Sequence, residues 1–130
     1  MTAIFLLVVI AALGAFALTL SNTQTQSQTL DVRGARAYQA ALAGIEWAAF
    51  HVSQEAASSP AAWAGCLPGQ AVTTGGMLAD FAVTVNCSAV SAVEAGSTLW
   101  IYDVSAVAVT GGNPGDLNYV EQVATAKLGR

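Results

Sequence analysis

Residues 1–20 read MTAIFLLVVIAALGAFALTL, and no side chain in this run carries a charge. The first charged residue along the chain is Asp31. About 20 apolar residues allow an α-helix to cross the hydrocarbon core of a membrane. Residues 1–30 are therefore predicted to form an apolar helix of membrane-spanning length.

Three interpretations of this run are open. A secretory signal peptide has a basic segment followed by about 7 to 15 apolar residues, whereas no Lys or Arg precedes the longer run from Ala3 to Leu20. A membrane anchor has the required length, but such anchors normally have basic residues on the cytoplasmic side. In the third interpretation a short basic leader is removed just before Met1, and the mature chain begins with the apolar helix.

The apolar run is followed by an uncharged polar segment, SNTQTQSQTL, at residues 21–30. Ser, Thr and Asn side chains compete with the backbone for hydrogen bonds, which weakens a helix. A glycine inside a helix costs up to about 1 kcal/mol relative to alanine. We expect the helix to stretch or melt most readily at four positions: Gly14, Ser21, Asn22 and Thr23.

A helical pattern returns after Leu30 and defines an amphipathic half at 31–58. One apolar stripe recurs at three- and four-residue steps: Val32, Ala35, Tyr38, Leu42, Ile45, Ala49 and Val52. A second row has small residues only, which permit close backbone approach or simply favour a helix: Gly34, Ala37, Ala41, Gly44 and Ala48. Ser58, Ser59 and Pro60 predict the end of the helix, which would be on the order of 80 Å long.

The periodicity changes in the remaining segment, 59–130. Residues 60–77 are rich in Gly and Pro and predict an irregular loop. Runs at 80–87, 97–109 and 118–127 predict β-strands, and the run at 97–109 has apolar residues on both faces, so its strand is predicted to be central. A meander of three or four antiparallel strands packed on the amphipathic half of the helix would bury both apolar faces, that of the sheet and that of the helix. The predicted fold class is α+β.

Composition and charge exclude several classes of function. Of 130 residues, 55% are hydrophobic and 9% charged, against about 25% charged in an average soluble domain. A net charge of −4 with four cations leaves no basic patch for phosphates, so nucleic acid is not an expected partner. With a single His, a zinc site is not expected, and Cys66 and Cys87 predict a disulfide in an oxidising compartment. No metal and no other cofactor is expected.

No catalytic residue is predicted. His51 is the one imidazole, and its neighbours Phe50 and Val52 favour a packing or surface position on the helix. A single His with scattered acids makes no catalytic constellation. Asp103 is expected at an edge-facing position of its strand, with a buried acid as the alternative. Asp116 is expected in an Asx turn, and a Ca²⁺ site shared with Asn113 is the alternative.

Four further residues have a structural and a functional interpretation. Asn86 begins the triplet NCS, which fits a glycosylation pattern and is interpreted as coincidence. Trp47, Trp63 and Trp100 are expected in the core or at a subunit interface. An adhesive aromatic surface is the alternative for these three.

The order of these segments resembles the type IV pilin superfamily over the whole chain: an apolar N-terminal helix, an amphipathic continuation, a small antiparallel sheet and one disulfide. Residues 33–52, RGARAYQAALAGIEWAAFHV, resemble minor pilins of the mannose-sensitive haemagglutinin pilus type. The resemblance implies that a prepilin peptidase removes a leader and N-methylates Met1. It also implies that the helix lies in the inner membrane until an assembly platform moves it into the core of an extracellular filament, among copies of itself and other pilins.

The resemblance implies a structural subunit, not an enzyme, that polymerises through its apolar helix into a type IV pilus filament. Helix–helix assembly contacts are predicted for six side chains: Phe5, Leu6, Val9, Leu13, Phe16 and Leu20.

Two positions depart from the family pattern. Phe5 stands where pilins usually have a Glu, and Asn22 stands where many have a Pro. A missing Glu is typical of subunits at a filament tip, so the alternative function is a minor pilin or pseudopilin that initiates a pilus or serves in type II secretion. A membrane-anchored binding module is a third candidate function, although no sequence feature points to its binding site.

Overall fold

The computed structural model describes residues 2–54 and 61–130. Helix α1 spans Thr2–Gln54, and four strands follow. The strands are β1 (Gln70–Val72), β2 (Ala82–Glu94), β3 (Ser97–Thr110) and β4 (Val120–Gly129), with a short 3-10 helix at Gly76–Leu78 between β1 and β2. The predicted α+β class, a long N-terminal helix with a small antiparallel sheet, is confirmed.

The chain divides into two compact units, Met1–Arg33 and Gly34–Arg130. The first contains the apolar and polar segments of α1. The second contains the rest of α1 and the whole sheet, and it has a hydrophobic core of its own.

The sheet is a meander in which the spatial order of the strands, β1-β2-β3-β4, follows the chain and all neighbours are antiparallel. Its inner face, towards α1, has Val85, Tyr102 and Val104, which are all buried. β3 pairs with β2 on one side and with β4 on the other. The prediction that the strand with two apolar faces is central is therefore confirmed.

The second half of α1 packs on the sheet through small side chains. Ala37, Ala40, Ala41 and Ala48 are completely buried. At Gly44, an added Cβ would lie 2.9 Å from a Val83 methyl group, closer than non-bonded carbon atoms approach. The row of small residues therefore lets the helix backbone come close to the large side chains of the sheet.

The expected burial is confirmed for the apolar face of the sheet and is wrong for most of the apolar stripe of the helix. Tyr38 is 46% exposed, and Leu42 and Ile45 are only partly buried. Since the sheet supplies valine and tyrosine side chains on its inner face, alanine and glycine on the helix complement it. The larger residues of the stripe lie beside this contact and remain partly exposed.

The predicted irregular loop at 60–77 contains β1, whose three residues pair with Val83–Val85 of β2. That part of the loop prediction is wrong, because a strand of three residues leaves almost no alternation to read. The predicted helix end at Ser58–Pro60 lies outside the described residues.

β2 continues seven residues beyond its predicted end at Cys87. It forms a ribbon with β3 in continuous register up to the pair Glu94 and Ser97. Ala95 and Gly96 make the two-residue turn with φ of +50° and +82°, as a type I′ hairpin requires. The segment Ser88–Glu94 reads SAVSAVE, which repeats with a period of three, so its sequence lacked the period-two alternation that marks a strand.

The predicted disulfide is confirmed. Cys66 and Cys87 are bonded, with their Cα atoms 4.9 Å apart. The bond ties the loop before β1 to the middle of β2, and the Cys87 N–H donates to the Leu67 carbonyl beside it.

Candidate functional site

The first unit of the chain exposes apolar side chains around the whole circumference of α1. Ile4, Phe5, Leu6 and Leu7 follow one another and are each 57% to 69% exposed. Consecutive helical residues point in directions about 100° apart, so no single contact face can cover them. A helix that is apolar all round requires an apolar environment such as lipid or other helices.

α1 is the one helix in the described part of the chain that is long and apolar enough to cross a membrane. An 18-residue window of α1 has a mean hydropathy of 2.8, and none of that window is buried. A membrane anchor passes this test of length and hydropathy, and a signal sequence near an N-terminus passes it too, so the test alone does not distinguish the two.

All six predicted assembly residues are exposed, from 37% at Val9 to 69% at Phe5. Five of them lie on one stripe of the helix, at three- and four-residue steps: Phe5, Val9, Leu13, Phe16 and Leu20. Large apolar residues on the other sides of the helix are just as exposed, and the prediction left them out: Ile4, Leu7, Val8, Ile10 and Leu18. Their hydrophobicity alone could have identified them from the sequence. Contact of either set with a neighbouring subunit stays a prediction.

The polar segment at 21–30 is helical in this structure, because α1 is continuous through it. The Thr25 hydroxyl donates to the Ser21 carbonyl, and the Thr29 hydroxyl donates to the Thr25 carbonyl, both at 3.0 Å. Such bonds satisfy the hydroxyls within the helix, and they weaken its backbone ladder slightly. Melting at Ser21, Asn22 and Thr23 during assembly stays a prediction.

Gly14 and Met1 are two further predicted positions in the first unit. At Gly14 an added Cβ would meet nothing within 4 Å, so no contact within the chain requires a glycine there. Met1, the predicted site of processing and N-methylation, lies outside the described residues.

An aromatic cluster at the end of α1 accounts for His51. The His51 ring stacks on Trp63 with ring centroids 5.4 Å apart, and Trp47 meets His51 edge-on at 4.6 Å. The backbone N–H of Trp63 donates to the buried Tyr102 hydroxyl at 3.0 Å. His51 is thus a packing residue, as predicted. Trp63 is buried, and Trp47 and Trp100 are partly buried.

The outer face of the sheet, away from α1, carries a polar band in an open groove of 760 Å³. The band consists of Asn86, Ser88, Asp103, Ser105, Thr125 and Lys127. Lys127 Nζ lies 2.8 Å from Asp103 Oδ1, an exposed ion pair of the kind that contributes about 0 to 1 kcal/mol. The expectation that Asp103 faces an edge is wrong, because β3 has a partner on both sides.

The remaining polar candidates have structural roles. Asp116 Oδ2 accepts the Asn113 N–H at 2.8 Å, within the turn between β3 and β4. Asp116 therefore lies in a turn as predicted, but this bond goes back three residues and is not that of an Asx turn. Asn86 Oδ1 accepts the Gly69 N–H at 2.8 Å and so ties β2 to the loop before β1. Across residues 2–54 and 61–130, no three His, Cys, Asp or Glu side chains are grouped to hold a metal ion.

Near the start of β4, the Tyr119 hydroxyl donates to the Glu121 carboxylate. This hydrogen bond is the main reason that the pKa of Tyr119 lies above its ordinary value, and desolvation and the negative charge of Glu121 act in the same direction. The pair is solvent-exposed, so it marks no catalytic acid or base.

Comparisons of this chain with known protein families, with curated proteins and with solved structures found no match. The features that bear on function are therefore the apolar segment of α1 and the surfaces of the second unit.

Proposed function

We propose that this protein is a structural, pilin-like subunit that polymerises through its N-terminal helix into an extracellular type IV pilus filament. The observation that carries the proposal is that the two halves of α1 differ in burial. Residues 2–20 expose apolar side chains on every side, while residues from Gly34 onward build a core with the sheet.

Removal of the exposed apolar side chains from water is strongly favourable. Burial of a side chain such as Leu, Ile or Phe contributes about 1.5 to 3 kcal/mol, and eleven large apolar residues between Ile4 and Leu20 are at least 37% exposed. Lipid of the inner membrane covers them before assembly in this proposal, and the same segments of neighbouring subunits cover them in the filament.

Small residues between the large ones favour the second kind of cover. Helices associate in apolar surroundings when small side chains let their backbones approach. The apolar run has five such positions from residue 11 onward: Ala11, Ala12, Gly14, Ala15 and Ala17.

The second unit supports an extracellular location for the mature filament. The Cys66–Cys87 bond is of the type that persists in oxidising compartments. Pilin processing at Met1, and assembly by a prepilin peptidase and an assembly platform, belong to the proposal through the family resemblance.

A specific observation favours a second candidate, a minor pilin or pseudopilin at a filament tip. Phe5 stands at the position where pilins usually have Glu, so one charged contact between neighbouring subunits is lacking. The two candidates differ in stoichiometry, since a major subunit dominates the filament and a tip subunit is present in trace amounts.

The test is an intact mass of the subunit in filaments sheared from cells, under non-reducing conditions, together with its abundance relative to other pilins. The proposal expects an abundant chain that begins at N-methylated Met1 and lacks two hydrogens because of its disulfide. A trace amount would favour the tip subunit. Exclusive recovery from the membrane fraction, with a leader still attached, would contradict both.

A further inference from the structure

On the side of β1, the second half of β2 has no backbone partner in the described part of the chain. β1 pairs only with Val83–Val85, and the Leu67 carbonyl accepts the N–H of Cys87. Beyond Cys87, β2 continues from Ser88 to Glu94 with β3 on one side only. We call the other side of Ser88–Glu94 the free edge.

The direction of the backbone groups on this edge follows from two observations. The Cys87 N–H points away from β3, to Leu67, and alternate residues of a strand point the same way. Independently, Trp100 lies opposite Ser91 but exchanges both of its backbone hydrogen bonds with Arg130. Ser91 therefore aims its N–H and C=O at the free edge, together with Ala89 and Val93.

The free edge lacks the features that normally prevent pairing with another strand. The stretch 88–96 contains no Lys, Arg or Pro, and its register with β3 is uninterrupted, so no bulge twists it away. Val90 is 62% exposed and Val93 is 79% exposed. Since an isolated two-stranded ribbon is marginally stable in water, a third strand would stabilise this one.

We propose that the free edge is a contact between two copies of this chain, which pair antiparallel about a two-fold axis at Ser91. In this register Ser91 faces Ser91, and Ala89 faces Val93 on both sides of the axis. All three pairs use outward-facing groups, which gives about six hydrogen bonds. The result is one continuous sheet built from two subunits.

The neighbouring symmetric registers pair fewer of the outward-facing groups. An axis at Ala89 would need the N–H of Cys87, which already donates to Leu67. An axis at Val93 would place Ser91 opposite Ala95, a turn residue with a φ of +50°. Axes at Val90 and Ala92 meet the same two obstacles, because they place Val93 opposite Cys87 and Ala89 opposite Ala95. Ser91 is the axis that pairs all three outward-facing residues.

Charge and side-chain size agree with the antiparallel arrangement. Glu94 is the one charged residue in the stretch 88–96. It would lie opposite Ser88 of the second copy, about 20 Å from the other Glu94 at 3.4 Å per residue. A parallel in-register pair would bring the two carboxylates together. Val90 would adjoin Ala92, and Val93 would adjoin Ala89, so that large side chains meet small ones.

The contact is small compared with a standard interface of about 800 Å² per partner. Seven residues per copy give a weak association in dilute solution. It becomes effective where copies are already concentrated, as in a membrane, because the local concentration then replaces affinity. The contact does not depend on filament formation.

The first test uses the full chain in lipid vesicles at high protein density, without any assembly machinery. Ser91→Cys is treated with a short bifunctional methanethiosulfonate reagent, and Ser88→Cys is the matched control. The two Ser91 Cα atoms would be about 5.5 Å apart, and the two Ser88 Cα atoms about 20 Å apart. We expect covalent dimers from Ser91→Cys only. Equal yields from both variants, or no dimer from either, would overturn the proposal.

The second test separates the edge from chance collision. Proline at position 91 removes one outward N–H and no bond to β3, as edge positions tolerate. In vesicles that carry donor- and acceptor-labelled chains, Ser91→Pro is expected to lower energy transfer at least several-fold, whereas Ser91→Ala keeps it. Unchanged transfer in Ser91→Pro with an intact Cys66–Cys87 bond would contradict the register.

Discussion

Gly44 of α1 lies so close to Ala106 of β3 that a Cβ atom added to Gly44 would be 2.9 Å from the Ala106 Cβ atom. Both atoms are fixed to backbones, so neither can rotate away. The distance explains why a helix with such small residues forms the main contact with the sheet.

Gly44→Ala is therefore expected to destabilise the second unit, although alanine favours helices. Overpacking costs about 1 to 3 kcal/mol, against a gain in helix propensity of about 1 kcal/mol. The matched control is Gly34→Ala, whose Cβ would have Gln122 Nε2 as its nearest neighbour, at 4.0 Å; this variant should be neutral or slightly stabilising. Thermal unfolding in detergent, followed by tryptophan fluorescence, measures both, and equal stability of the two variants would refute the close approach.

Tyr102→Phe is expected to cost about 1 to 3 kcal/mol of folding free energy, because the buried backbone N–H of Trp63 loses its acceptor. Tyr38→Phe is the control, since Tyr38 is 46% exposed. Urea denaturation of the two variants gives the comparison. A loss in Tyr38→Phe as large as that in Tyr102→Phe would show that the buried hydrogen bond is not the cause.

Reduction of the Cys66–Cys87 bond is expected to destabilise the second unit by roughly 3 kcal/mol, given the sequence separation of 21 residues. The unfolding temperature with and without reductant measures the effect. The cysteine pair replaced by serines should reproduce it, with no further response to reductant. Far-ultraviolet circular dichroism should still report the apolar helix in detergent, and an unchanged unfolding temperature would contradict the structural role of the bond.

Arg130 connects the end of β4 to the end of α1. Its guanidinium donates to the Val52 carbonyl in the last turns of the helix, where a cation also complements the helix dipole. Arg130→Gln should lose roughly 1 kcal/mol of stability, whereas Arg36→Gln, at an exposed helical position, should lose little. Chemical denaturation at low and high salt would expose the electrostatic part, which salt weakens.

The sequence predicted the architecture because its signals were long and unmixed. An uncharged run of 30 residues, a helical period after it and two apolar faces on 97–109 indicated the helix and the central strand. Cys66 and Cys87 indicated their own bond because the chain offers no other cysteine.

What the sequence could not predict depends on contacts between distant residues. The choice between the stripe with Tyr38 and the row with Gly44 is decided by the valines of the sheet, which lie far away in the chain. β1 and the extension Ser88–Glu94 have weak patterns of their own and are held by pairing with β2 and β3. At the candidate site, the residues predicted from the sequence lie mainly on one stripe of the apolar helix. The exposed apolar residues surround the whole helix.

A charge in that segment should separate assembly from folding. Leu13→Arg is expected to abolish recovery of the chain in sheared filaments, because an unpaired cation among apolar helices is costly. The unfolding temperature of the second unit should not change, since Leu13 is 63% exposed. Filaments at normal yield from Leu13→Arg would count against helix-driven polymerisation.

Photo-cross-linking in filaments sheared from cells tests whether the apolar helix of one subunit contacts that of another. A photoreactive amino acid replaces Leu13, and the control replaces Thr84 on the outer face of the sheet. If the apolar helices pack against one another, position 13 gives covalent oligomers, and the cross-linked peptide maps to residues 2–20 of another copy. Position 84 gives few oligomers or none. Adducts to lipid alone at position 13, or the same adducts from both positions, would contradict a filament held together by the apolar helix.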